Sequence, residues 1–242
     1  MKVILNGAAG RMGREILALI EKGARGAELA FAADREGTGY MPISTFDGAA
    51  DIIIDFSHHS ATTELCEYAV KKNIPIILCT TGQTEDELAA IDAASKKIPV
   101  FRSGNMSVGI ALLVELAKKT AAAMPDADIE IIESHHNRKE DAPSGTALMI
   151  AEGIREARGQ VPYKFGRSGH DKRNPGEIGI HAVRAGNIVG IHEVLVCTDT
   201  QSITLKHEAY SRALFAEGAV AAAEYLYNIK KPGVYNMYDM LK

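Results

Sequence analysis

Hydrophobic and polar positions follow two different rhythms along this chain, and the rhythm changes near residue 106. In the first hundred residues, short runs rich in Ile, Val and Phe occupy 2–6, 28–33, 50–56, 75–79 and 99–102, which predicts five strands. Between them, apolar residues recur at three- and four-residue spacing over 13–22, 60–72 and 85–96, which predicts helices. Strands spaced by helices of this length mean βαβ units, a parallel sheet and right-handed crossovers. A long helix follows at 108–124, and the pattern then turns mostly to strands. Residues 128–133 alternate, 147–152 are helical, and 177–183, 190–196 and 201–205 are β-type with turn signals such as Ala185-Gly186-Asn187 between them. A last, alanine-rich helix is expected over 210–228 and an extended tail over 231–235. The basic, glycine-rich segment 166–176 is expected to be a mobile loop. The expected fold class is therefore α/β: a Rossmann-like parallel-sheet domain from 1–106 plus 215–242, and an α+β domain, 107–214, with an open mixed sheet.

Composition narrows the class without choosing a function. The chain has 242 residues, 46% hydrophobic and 24% charged, with a net charge of −4. That balance argues against a nucleic-acid or anionic-membrane surface, both of which favour a basic stripe. Three cysteines, Cys66, Cys79 and Cys197, are odd in number and lack metal-ligand spacing, as expected of reduced thiols in a cytoplasmic protein. No apolar run reaches the roughly 18 residues that span a bilayer, and Met1 to Leu5 lead straight into a strand without a signal-peptide pattern.

Two stretches carry chemistry. The first is Gly7-Ala8-Ala9-Gly10-Arg11-Met12-Gly13, a glycine turn between a strand and a helix. Such a turn lets the backbone approach a pyrophosphate at a helix N-terminus, although glycine turns of this kind also exist for packing alone. The spacing departs from Gly-x-Gly-x-x-Gly, with Ala9 where the middle glycine would stand. Asp34 ends the second strand and Arg35 follows it; an acid there holds ribose hydroxyls, and an arginine accommodates a 2′-phosphate. The two together leave NADH and NADPH both open as cofactors, unless both residues merely cap the strand. Cys79-Thr80-Thr81 and Ser103-Gly104-Asn105-Met106 each follow a buried strand at the same edge and suit a nicotinamide and its ribose, or are ordinary turns.

The second stretch runs from His135 to Ala147. It places two histidines, Lys139 and a helix start between a strand and a helix, an arrangement suited to a small acid with more than one carboxylate that is also given a proton. A shared metal ion is disfavoured, because adjacent side chains on an extended strand point to opposite faces and no further ligand lies nearby. Structural histidines are the remaining alternative. Pro143 fixes the chain before the helix, and Ser144, Gly145 and Thr146 offer N–H groups and hydroxyls.

Taken together, Gly-Ala-Ala-Gly-Arg-Met-Gly, Thr-Thr-Gly, Gly-Asn-Met-Ser-Val-Gly and Glu-Ser-His-His-Asn-Arg-Lys-Glu-Asp-Ala-Pro-Ser-Gly-Thr-Ala resemble the dihydrodipicolinate reductase (4-hydroxy-tetrahydrodipicolinate reductase) family. Later segments, Gly166 to Gly169, Glu177 to Arg184 and His207 to Arg212, are similar to the same family, so the likeness runs end to end. The glycine turn is weakly specific, and the His-His-x-x-Lys-x-Asp-x-Pro-Ser-Gly-Thr run is highly specific. The resemblance implies NAD(P)H-dependent reduction of the cyclic dicarboxylate to tetrahydrodipicolinate in the diaminopimelate route to lysine. It implies His135 as proton donor and Lys139 as its catalytic partner, with His136, Gly145 and Thr146 on the substrate carboxylates. It implies cofactor contacts from Gly7, Ala8, Ala9, Gly10, Arg11, Met12 and Asp34, from Cys79 to Thr81 and from Ser103 to Met106. It also implies that the second domain binds substrate and assembles a homotetramer through its sheet. Cys79 stands where a glycine is common, which would crowd the cofactor or expose a thiol, and Tyr210 stands where a smaller residue is usual. Two rivals are a dehydrogenase for another amino or keto acid, which would not need the His-His-x-x-Lys loop, and a regulatory protein that binds the dinucleotide without turnover.

Overall fold

The apolar runs of the first hundred residues become parallel strands of one sheet in the computed structural model, which describes residues 1–242. The chain divides into two units, Met1–Ser107 with Arg212–Lys242, and Val108–Ser211. In the first unit, β1 (Lys2–Asn6) lies between β2 (Glu28–Ala33) and β3 (Ile52–Asp55), with β4 (Ile76–Leu78) and β5 (Pro99–Arg102) beyond β3. Every pairing is parallel. β3 and β4 are wholly buried and β1 is buried after Lys2, which is why they read as continuous apolar runs: helices cover both faces. On one face α2 (Thr62–Lys72) and α3 (Glu85–Ser95) pack together over Ile4, Ile53, Ile76 and Val100. α1 (Arg11–Glu21) packs with α6 (Ala213–Tyr227), whose Ala216, Ala219, Val220 and Ala223 are buried. The tail that reads only as extended forms β11 (Gly233–Tyr235), a sixth parallel strand on β5.

In this order, β1 has β2 on one side and β3 on the other, so the direction of winding reverses between β1 and β3. In an open α/β sheet a crevice forms at the carboxyl ends of the strands at such a switch point, and ligands settle there. The turns after β1 and β3 form its walls.

In the second unit, β6 (Asp128–His135) is central to a five-stranded mixed sheet. It runs parallel to β8 (Ile178–Arg184) and antiparallel to β9 (Gly190–Cys197), with β10 (Ser202–Ala209) outside β9 and β7 (Tyr163–Phe165) outside β8. Burial alternates strictly along β6 and β9, because α4 (Val108–Ala123) and α5 (Gly145–Arg158) cover one face. One expectation needs correction, and two features go beyond the sequence pattern. β10 extends to Ala209 and α6 begins at Ala213, so Tyr210 belongs to a connection instead of a helix. β7 is a strand that the sequence pattern does not predict. The 166–176 segment is tied to the sheet, Arg167 to Glu177 at 2.7 Å and Arg173 to Asp128 at 2.7 Å. No helix is long and apolar enough to cross a membrane.

Candidate active site

The switch point of the first sheet opens into a cleft of about 640 Å³. Gly7, Ala9, Gly10, Asp34 and Arg35 line it, together with Ser57 and His58 from the turn after β3, which the sequence reading did not single out. Gly7 adopts φ +85°, and a Cβ there would stand 2.6 Å from the Phe56 carbonyl. A Cβ on Gly13 would overlap the Gly7 carbonyl oxygen, so the turn and α1 close on each other only with glycine at both positions.

The N–H groups of the turn are largely spoken for. Gly7 and Ala8 donate to the Ala33 carbonyl at 3.0 and 3.1 Å, and Ala9 donates to Asp34 Oδ2 at 2.9 Å. Asp34 Oδ1 accepts from the Arg35 N–H at 2.7 Å, so this carboxylate is held at the cleft by two backbone donors. The first turn of α1 differs: its N-cap, Gly10, has no side chain, and no acidic residue lies in that turn. The amides of Arg11 and Met12 therefore sit at the positive end of an uncapped helix, which fits a pyrophosphate. Ala8 is wholly buried and Met106 nearly so, which leaves only backbone from either for a ligand.

Below the cleft, Asp55 is fully buried and accepts from Asn6 Nδ2 at 2.8 Å and Ser57 Oγ at 2.6 Å. Burial pushes its carboxyl up, against the pull of those donors. Cys79 and Thr80 to Thr81 follow β4, and Ser103 to Met106 follow β5, along the same carboxyl edge but outside the lining of the cleft. Burial, with Asp55 beside it, pushes the Cys79 thiol up, so it stays protonated rather than forming a reactive thiolate.

The second site is built at the end of β6. Alternation places Glu133 and His135 on the same, covered side of the strand. Glu133 is fully buried, and each of its oxygens accepts two hydrogen bonds. Oε1 takes Arg184 Nη2 at 2.8 Å and the Ser144 N–H at 3.0 Å, while Oε2 takes Arg184 Nη1 at 2.8 Å and His135 Nδ1 at 2.5 Å. Burial raises the Glu133 carboxyl, but the Arg184 fork, His135 and the Ser144 amide outweigh it and hold the group below the ordinary glutamate range. His135 Nε2 faces Gly190 of β9, where an added Cβ would approach it to 3.2 Å.

His192 meets His135 edge to face at 5.2 Å and shares a 3.1 Å hydrogen bond with Ser144 Oγ. Burial, with His135 beside it, lowers its pKa to about 4, so this ring is neutral. Ser144 also caps α5, accepting from the Ala147 N–H at 3.2 Å. Gly145 and Thr146 form the first turn, and nothing stands within 4 Å of the Cβ position of Gly145. Between β6 and the cap, Lys139 donates its N–H to the His136 carbonyl at 3.1 Å, and its ammonium lies 2.8 Å from Asp141. Arg184 also donates to the Asp141 carbonyl at 2.6 Å, and the Ala142–Pro143 bond is cis. One short segment thus presents an imidazole, an ammonium and a helix N-terminus. That set can bind carboxylates and transfer a proton. Glu133, Arg184, His192 and Gly190 are the members that the sequence reading did not single out.

Comparison with known proteins gives a consistent set of matches. Family models described as dihydrodipicolinate reductase, N-terminus, and dihydrodipicolinate reductase, C-terminus, match residues 1–106 and 109–241. The chain is 42% identical to the 4-hydroxy-tetrahydrodipicolinate reductase of Caldanaerobacter subterraneus subsp. tengcongensis, covering 100% of this chain and 98% of that protein. It is 41% identical to the protein of the same name from Clostridium tetani, covering 100% of this chain and 97% of that one. Among solved structures, a dipicolinate-bound dihydrodipicolinate reductase from Paenisporosarcina sp. TG-14 shares the fold, with a TM-score of 0.80 at 24% identity over 99% of both chains. A probable dehydrogenase from Thermotoga maritima shares it more loosely, with a TM-score of 0.59 at 12% identity over 99% of this chain and 92% of that one.

Proposed function

Because the chain belongs to the dihydrodipicolinate reductase family, we propose that it reduces 4-hydroxy-tetrahydrodipicolinate (dihydrodipicolinate) to tetrahydrodipicolinate in the diaminopimelate route of lysine biosynthesis. It is an oxidoreductase, and its cofactor is a nicotinamide dinucleotide. The observation that carries the substrate assignment is the segment from His135 to Thr146, which joins an imidazole, a cation and a helix N-terminus in a dozen residues. A monocarboxylate would not need both a lysine and a helix end.

When bound, the dinucleotide supplies the hydride. The chain's own residues do the rest. The uncapped first turn of α1 and the glycine turn hold the pyrophosphate, and Asp34 holds the adenosine ribose. Asp34 disfavours a 2′-phosphate while the exposed guanidinium of Arg35 tolerates one, so NADH is used and NADPH is accepted. Lys139 leaves Asp141 for a substrate carboxylate, with His136, Gly145 and Thr146 around the carboxylates. His135 gives a proton to the ring carbon beside the one that receives hydride. Residues 1–106 with 215–242 are the dinucleotide-binding domain, and 107–214 bind substrate and assemble a homotetramer in the cytoplasm.

The test is oxidation of NADH and of NADPH, followed by near-ultraviolet absorbance, with the product of dihydrodipicolinate synthase generated in situ. Turnover with both cofactors, and a higher kcat/KM for NADH, is expected. Cofactor binding without turnover would sink the assigned substrate.

A further inference from the structure

We propose that Glu133 is the positioning residue of this site: it holds the Nδ1–H of His135, leaves Nε2 as the atom that gives up the proton, and fixes the start of α5 through Ser144. This rests on His135 being the proton donor of the proposed reaction.

The argument is one of counting donors. A carboxylate has about four lone-pair positions. On Glu133 two are taken by the Arg184 fork and one by the Ser144 amide, groups that can only donate. The fourth partner is His135 Nδ1 at 2.5 Å. Facing an ionised oxygen pinned by a guanidinium, that nitrogen has to carry a hydrogen. The ring then has a single nitrogen with freedom to exchange a proton. Nε2 points to the side where β9 supplies a glycine, Gly190, in place of a side chain. During turnover the imidazolium loses its Nε2 proton to the substrate carbon and becomes the neutral Nδ1–H ring. Glu133 stays a carboxylate throughout and receives no proton.

A pair that served only to join β6 to β8 would engage Arg184 alone, since His135 and Arg184 are already paired in register. Here the same carboxylate reaches the proton donor and the cap of the anion-binding helix as well. One buried charge thereby sets two working parts of the site relative to each other. The other titratable or charged groups facing His135 and its neighbour are Arg184 from β8, His192 from β9, His207 opposite His192 on β10, and Lys139 from the loop.

Two measurements decide the matter. In the intact wild-type protein with 15N-labelled histidine, assigned against His135→Gln, the neutral His135 ring is expected to carry its hydrogen on Nδ1; a ring protonated on Nε2 instead overturns the inference. In Glu133→Gln, kcat is expected to fall about 10²-fold, because the ring that gives up the proton loses the carboxylate that orients it. KM for the cofactor should stay within about twofold, and Glu133→Asp should recover part of the loss. A Glu133→Gln enzyme with wild-type kcat overturns the inference. If that variant does not fold, the 15N measurement on the wild type still decides. Absence of turnover in the wild type would count against the proposed reaction, while the hydrogen position on His135 is read without turnover.

Discussion

At the scale of single residues, the proposed reaction gives each ionisable group of the candidate site a distinct job, and replacing one at a time should separate them. His135→Gln removes a proton without removing a carboxylate contact, so kcat should fall about 10²-fold with KM nearly unchanged. A large rise in KM at constant kcat would assign His135 to binding instead. Lys139→Ala takes away a cation that, in the proposed reaction, both binds and assists, and is expected to harm kcat and KM together; unchanged kinetics would remove it from the site. His192 makes a separate prediction about stability. Its folded pKa is depressed to about 4 from 6.5, so its contribution is fully present above pH 6.5 and is lost as pH falls from 6.5 towards 4. At about 1.4 kcal/mol per unit, that drop is worth roughly 3 kcal/mol. His207, lowered by its own burial, acts in the same direction. Chemical denaturation of the second unit across this range should show the loss, and His192→Gln should flatten it; a slope equal to the wild type would remove His192 from the account. Half of this chemistry is legible in the sequence. Glu133 and His135 are two apart on an alternating strand, a spacing that puts them on one face. Arg184 and His192 are not legible, since only the register of β6 with β8 and β9 brings residues some fifty positions away to the same carboxylate.

At the scale of elements, the two glycines that shape the sites can be tested by a single added methyl group. Gly13→Ala drives a Cβ into the Gly7 carbonyl, backbone that cannot step aside, and is expected to cost about 1–3 kcal/mol in a urea titration. A variant as stable as the wild type would mean that the turn is looser than drawn. Gly190→Ala is milder, because it meets only the side-chain rings of His135, at 3.2 Å, and His192, at 3.9 Å; kcat should fall while the denaturation midpoint barely moves. Loss of stability with intact turnover would be the contrary result. The strands and helices of the first unit lie where the apolar runs place them, because a strand buried on both faces is a strong and local signal. What the sequence hides has physical causes. β7 is three residues long on a sheet edge and has too few positions to show a period. β10 extends through Lys206 to Ala209 because half-exposed edge residues carry little apolar signal, and alanine-rich α6 invites a start that is too early. The anchoring of 166–176 depends on Asp128, Glu130 and Glu177, acids that look merely solvated in the sequence.

At the scale of the whole molecule, the first unit is built from both ends of the chain and the second from one continuous stretch. The second unit carries its own sheet and two covering helices, so residues 108–211 expressed alone should give cooperative unfolding by circular dichroism. Residues 1–107 alone lack α6 and β11, which leaves one face of the parallel sheet uncovered over β3 to β5 and β5 with an unpaired edge. They should aggregate or remain open to protease, and a stable 1–107 fragment would contradict this. The placement of β11 has a consequence for how the molecule is made. Synthesis delivers β1 before the second unit and β11 after it, so the nascent chain carries an unfinished sheet through the synthesis of everything between them. The middle of the chain can close on itself during that interval. The Gly233–Tyr235 strand, made only after the whole second unit, completes the sheet that β1 began.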